Sequence, residues 1–250
     1  MDDKSKVNNL ILKSAYITII ILIIAVIALI ILKYNVEGEK NMPFKLSSII
    51  VISNAEGYQE NENKDYLWDA EIYQINDIYL NIEKNKNYKD EEIIKSIVVE
   101  NIEIDEKPQV GSIEFYRVSN EEKDLFNYSE EYKINGNIEY LGNTISDLKN
   151  LKVSNQGSTL IFRCVNKTGK RYTSNEEEFK HSGKLLEKVG ISYEEIKGKV
   201  SFELIINLES GISFRAKVQL ELPTGDIIKE GASSQEIKDM KNIVFKREQR

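Results

Sequence analysis

At 250 residues the chain is long enough for a substantial core, yet it carries one histidine and one cysteine. A lone cysteine excludes an internal disulfide and any multi-cysteine metal site. From Tyr34 onward 30 basic groups stand against 39 acidic ones, a formal −9, and that charge disfavours nucleic acid and anionic membranes as ligands.

Residues 1–14 read as a cytoplasmic tail with Lys4, Lys6 and Lys13. Ala15 to Leu32 follow as eighteen consecutive positions without a charge, a proline or a glycine. At about 1.5 Å per residue this run covers roughly 27 Å, close to the hydrocarbon thickness of a bilayer. A single transmembrane helix is expected over 15–34, with Tyr16 and Tyr34 at the headgroup layers. The run is longer than the apolar stretch of a cleaved leader, and it exits into Lys33-Tyr34-Asn35-Val36-Glu37 without small residues at the cleavage positions. It therefore reads as an uncleaved signal-anchor. Three lysines flank each side, so the charge count does not orient the helix. A short tail followed by a long domain places the N-terminus inside and the domain outside.

Residues 35–45 read as a short linker, and the rest reads as mainly β. Strand character appears at Ile49 to Ile52, Ile78 to Ile82, Ile97 to Ile104, Ile113 to Val118 and Leu160 to Val165. The polar stretch Ser119 to Tyr132 divides the region into 46–118 and 119–250, compatible with one large β-sandwich or two in tandem. Asn135-Gly136, between Tyr132, Ile134 and Ile138, Tyr140, predicts a hairpin. Ser119-x-x-Glu122, Ser192-x-x-Glu195 and Ser233-x-x-Glu236 predict short helices through capping boxes. The clearest unit is the alternation Phe202, Leu204, Ile206, Leu208 followed by Ile212, Phe214, Ala216, Val218, Leu220, Leu222. Its connector, Glu209-Ser210-Gly211, predicts Ile206 opposite Phe214 and Leu204 opposite Ala216. The run Ile243 to Phe245 reads as a final strand.

No sequence pattern assigns a catalytic, cofactor or metal residue. His181 sits in the charged stretch EEEFKHSGK without a nucleophile context, and Cys164 shares a strand face with Leu160 and Phe162 as a buried apolar residue would. The run Glu60-Asn61-Glu62-Asn63-Lys64-Asp65 offers oxygen ligands but lacks calcium-loop spacing and reads as a solvated loop. Asp69, Glu71 and Asp77 lie near Tyr66, Trp68, Tyr73 and Tyr79, the composition of a carboxylate-based glycan site and equally of an acidic sheet surface. Asn127-Tyr128-Ser129 and Asn166-Lys167-Thr168 match the short glycosylation rule, a match that chance supplies readily. Phosphate-loop, dinucleotide and zinc-protease motifs are missing.

The phrases VEGEKNMPFKLSSIIVISNAEG, NDIYLNIEKNKNY and GSIEFYRVS resemble segments of small membrane-anchored proteins of Gram-positive bacteria. That resemblance implies an anchored outer domain and carries no site residues. The expected function is a non-catalytic interaction module of the cell envelope, without cofactors, whose partner is another envelope protein. An envelope glycan hydrolase using two carboxylates is the alternative.

Overall fold

The computed structural model describes residues 2–58, 66–119, 125–145, 151–176 and 178–249. In chain order the elements are α1 (Asp2–Glu37), β1 (Phe44–Tyr58), β2 (Trp68–Lys84), β3 (Ile94–Glu106), β4 (Ser112–Arg117), β5 (Ile138–Gly142), β6 (Leu151–Val153) and β7 (Thr159–Ser174). Then follow α2 (Lys184–Lys188), α3 (Tyr193–Ile196), β8 (Gly198–Leu208), β9 (Ile212–Leu222), α4 (Ile227–Glu230), β10 (Ser233–Ile237) and β11 (Lys246–Gln249).

Strands pair where alternating apolar faces can be buried together. The first sheet has the order β10-β1-β2-β7-β4 and the second β11-β9-β8-β3-β5-β6. Ile49, Val51, Ile78, Leu80, Leu160 and Phe162 from the first meet Ile97, Val99, Phe202, Leu204, Ile206 and Phe214 from the second in one core. Phe162 and Phe202 cross this interface edge to face, with ring centres 5.4 Å apart. Strands from 46–118 and 119–250 interleave in both sheets: β2 and β4 flank β7, and β3 pairs β8. The two stretches thus build one sandwich.

The β8–β9 hairpin has the predicted register, Ile206 opposite Phe214 and Leu204 opposite Ala216. Asn135-Gly136 does not close a hairpin. The preceding segment joins the first sheet, where Ile134 N–H donates to Phe115 O at 2.8 Å, whereas β5 pairs β3 in the second. Both flanks bury alternate side chains but join different sheets, and Gly136 at φ +106° turns the chain between them. Ser192 does head a capping box, on α3. Ser233 instead opens β10, because Ile237 packs on the main core and the segment pairs β1. The Ser119 box runs into residues outside the described ones. The final strand begins at Lys246, just after the run Ile243 to Phe245, whose Phe245 is buried in the core.

β1, β2 and β7 are 15, 17 and 16 residues long, against 11 for β8 and β9. The first sheet therefore overruns the second, and its far end must be covered by other means. On the inner face α2, α3, the turn between them and α4 pack Leu185, Leu186, Ile191, Ile196 and Ile227 against Ala55 and Ile72. On the outer face Phe126, Tyr128 and Tyr132 cover Tyr73, Ile75, Tyr116 and Val165. Between main and satellite cores lie Ser53, Gln74, Asn76, Asn166 and Thr168, all buried. Ser53 Oγ donates to Asn76 Oδ1 at 2.8 Å and Asn166 Nδ2 to Val110 O at 3.0 Å, while Asn166 Oδ1 has no hydrogen-bond partner among the described residues.

α1 is longer than the expected span at both ends. Its segment Leu12–Glu37 has a mean hydropathy of 3.3 and is long and apolar enough to cross a membrane. Its last turn is clasped by β11: Arg247 N–H donates to Tyr34 Oη at 2.9 Å and Lys246 Nζ lies 3.5 Å from Asn35 Oδ1; just outside both elements Glu39 N–H donates to Phe245 O at 2.7 Å. As the chain climbs from 34 to 39 its partners fall from 247 to 245, so the helix end runs antiparallel to β11. Most of the expected linker 35–45 is thus structured.

Phe202→Ala removes a ring buried in the seam between the sheets and is expected to cost about 3–5 kcal/mol, read from urea unfolding. A cost under about 1 kcal/mol would mean the sheets do not pack there.

Candidate functional site

Arg163 is the organising residue of the outer face of the first sheet. It sits in the apolar run of β7, so its guanidinium is carried into a surface that aromatic rings then close. Nε donates to Asp77 Oδ1 at 2.5 Å and Nη2 to Asp77 Oδ2 at 2.9 Å, a two-pronged pair across β7 and β2. Nη1 donates to Tyr128 Oη at 2.7 Å and lies 3.3 Å from both oxygens of Glu56. The Phe126 ring lies under the guanidinium carbon at 4.2 Å. Burial works against the charge, but Asp77, Tyr128 and Glu56 outweigh it and keep Arg163 more firmly protonated than an ordinary arginine.

Tyr128 is the hub of the aromatic part. Its ring lies 5.2 to 5.6 Å from those of Tyr116, Tyr73 and Tyr58, each meeting it edge-on. Its hydroxyl donates to Glu56 at 2.8 Å, and burial raises its phenol well above the usual range. Glu56, Tyr58, Leu125, Phe126, Asn127, Tyr128 and Arg163 enclose a concavity of about 370 Å³. Tyr58 and Leu125 are exposed on its rim, and Tyr66 and Leu67 lie exposed just before β2.

Beside this group Glu114 is held by Lys133 at 2.8 Å, Lys167 at 2.7 Å and the Tyr116 hydroxyl at 2.5 Å. Burial alone would raise its carboxyl, but these three donors outweigh it and hold the group at about 2. Arg215 gathers a second cluster on the other sheet, with Glu100 at 2.7 Å, Glu248 at 2.9 Å and Glu203. There Glu100 and Glu203 face each other across β3 and β8, and the shared arginine offsets their repulsion.

The three carboxylates that the sequence sets near aromatic residues are engaged in contacts. Asp77 is bound to Arg163, Asp69 to Arg171 at 3.0 Å, and Glu71 accepts from the Tyr73 hydroxyl at 3.4 Å. Trp68 is half-buried against Phe179, its indole N–H donating to Glu176 O at 3.0 Å. His181 is exposed; its Nδ1 accepts from Gly57 N–H at 3.2 Å, and the strap it belongs to lays Phe179 over Gly57, where a Cβ would come within 2.4 Å of the ring. Cys164 is buried in the core and burial pushes its thiol up to about 12. Asn166 is likewise buried, which withdraws it as a glycan acceptor. The oxygen-rich run 60–65 lies outside the described residues. Among those described, no group of three histidine, cysteine or carboxylate side chains could hold a metal ion.

Reasoning from sequence missed the Arg163–Asp77 pair. Its signal was available: one arginine inside LIFRCV and one aspartate inside IND-IYL, each embedded in an apolar strand and needing an opposite charge. Comparison with protein-family models, curated proteins and solved structures returns no match.

Arg163→Met leaves Asp77 buried without its partner and is expected to cost about 3–5 kcal/mol, with Arg163→Met/Asp77→Leu recovering part of the loss, both read from denaturant midpoints. Glu114 has a depressed carboxyl, so its contribution is complete above about pH 4.5 and fades as pH falls toward 2. Stability titrated downward from neutral pH should fall more shallowly for Glu114→Gln than for the parent. Equal slopes would remove the assigned role.

Proposed function

We propose that the chain is a single-pass, membrane-anchored binding module of the cell envelope, with α1 as an uncleaved anchor, the N-terminus inside and the sandwich outside. The observation that carries this reading is a polarity of construction. One end of the sandwich is clasped to the last turn of α1, while the β1–β2 hairpin of the first sheet projects away and exposes Tyr58, Tyr66 and Leu67, with Leu125 of the covering segment exposed beside them. Strands of fifteen residues reach about 50 Å, so these side chains stand well clear of the bilayer.

Exposed aromatic and aliphatic groups on a rigid base are the usual ingredients of a protein contact, because tyrosine contributes large area at little entropic cost. Arg163 fixes that base by joining β2, β7 and the Phe126–Tyr128 segment. The partner is accordingly another envelope protein that meets the far end of the first sheet. The stated resemblance to anchored proteins of Gram-positive bacteria accords with this placement.

In-cell crosslinking of the full chain, beside a control of residues 1 to 45, should recover one protein near stoichiometry with the full chain alone. Tyr58→Ala/Leu125→Ser should lose it while circular dichroism shows the fold retained. Retention by that variant would move the contact elsewhere, and recovery of the same protein by the control would assign binding to the helix. A reporter active only outside the cytoplasm, fused after Arg250, should be active; silence at normal expression would invert the orientation.

A further inference from the structure

β3 is paired with β8 along most of its length, but β5 covers its other side only from Ser96 to Val99. From Asn101 to Glu106 no described strand pairs with that second side. Backbone donors and acceptors along such a strip are satisfied by water or by an incoming strand.

This open edge borders a groove of about 660 Å³ between the two sheets. Ile102 and Ile104 of β3 line it with Ile113 and Phe115 of β4 and Ile134; its charged lining is Glu103, Asp105 and Lys107 together with Glu114 and Lys133, which neutralise each other at 2.8 Å. Of the five apolar side chains all but Phe115 are only partly buried, and all five pack on the main core. The opposite side of β3 presents Glu103 and Asp105, both exposed, with Asp105 accepting from Ser201 at 2.9 Å and Gln219 at 2.7 Å.

The geometry points to a strand-addition site: an extended, basic polypeptide segment of a partner pairs with β3 over Asn101–Glu106. It would extend the second sheet there, and its alternate side chains would fall into two chemically distinct rows. One row meets Ile102, Ile104, Ile113 and Ile134, so it is apolar. The other lies beside Glu103 and Asp105, where a directly opposed lysine or arginine is favoured and a carboxylate is not. A second copy of this chain is disfavoured as the occupant, since the domain carries −9 and the acidic row repels its own kind. The site rests on the reading of the chain as a binding module and names the chemistry of what it binds.

The probe is a blocked nonapeptide of alternating lysine and valine, added to the full chain in lipid nanodiscs and followed by titration and amide hydrogen exchange. Amides of Asn101–Glu106 are expected to exchange at least tenfold more slowly at saturation. Two further peptides carry backbone N-methyl groups on all valines or on all lysines. An added strand turns one set of amides to β3 and the other to solvent, so one methylated peptide should lose binding while the other keeps it. Ile104→Lys and, separately, Ile134→Asp should each weaken the parent peptide at least tenfold, with circular dichroism confirming the fold. Equal binding by both methylated peptides, or unchanged exchange in β3 at millimolar peptide, overturns the site. If a partner is still captured from cells by Ile104→Lys, the binding module stands and this groove is not its contact.

Discussion

The length mismatch between the two sheets governs most of what is distinctive about this molecule. Two sheets of equal length bury each other's inner faces and leave their outer faces to water. Here three strands of the first sheet run some four to six residues beyond their counterparts. The excess has two faces and no sheet to cover either. Short helices close one side, an aromatic loop closes the other, and a row of hydrogen-bonded polar side chains marks where one kind of cover gives way to the next. The candidate contact face exists because the outer cover is built from tyrosines and held down by one arginine.

That arginine illustrates how a buried charge can organise rather than stabilise. Removing it from water is costly, and the return from Asp77, Glu56 and Tyr128 arises only when β2, β7, the end of β1 and the covering loop are all in place. The ion pair therefore selects one arrangement of four separate segments over looser ones in which an apolar side chain would do equally well. The Arg215 cluster on the opposite sheet follows the same rule at the surface, where three glutamates are tolerated together because one cation serves them all.

Much of the fold was legible in the sequence, and the failures share a cause. The β8–β9 hairpin could be read to the register because its two faces differ in polarity and its turn is short. β2 could not be read to its full length: residues 72 to 78 are buried on both faces, so Tyr73, Gln74, Asn76 and Asp77 erase the alternation that marks a strand. The segment around Asn135-Gly136 had the right alternation and the wrong partners, since periodicity tells which side chains are buried and not against which sheet. Ser233 had a helix-opening pattern that tertiary pairing with β1 overrode. The site was less legible still, because Asp77 and Arg163 are 86 positions apart and meet only once β2 and β7 are neighbours.

The interleaving of strands also sets a timetable for synthesis. β1 and β2 are neighbours along the chain and can pair as soon as both exist, but β3 waits for β8, about a hundred residues further on. At translation rates of roughly 5–20 residues per second, that wait lasts about 5–20 s. During it an isoleucine- and valine-rich strand has only the short β5 to pair with, over Ser96 to Val99, which exposes the nascent chain to misassociation.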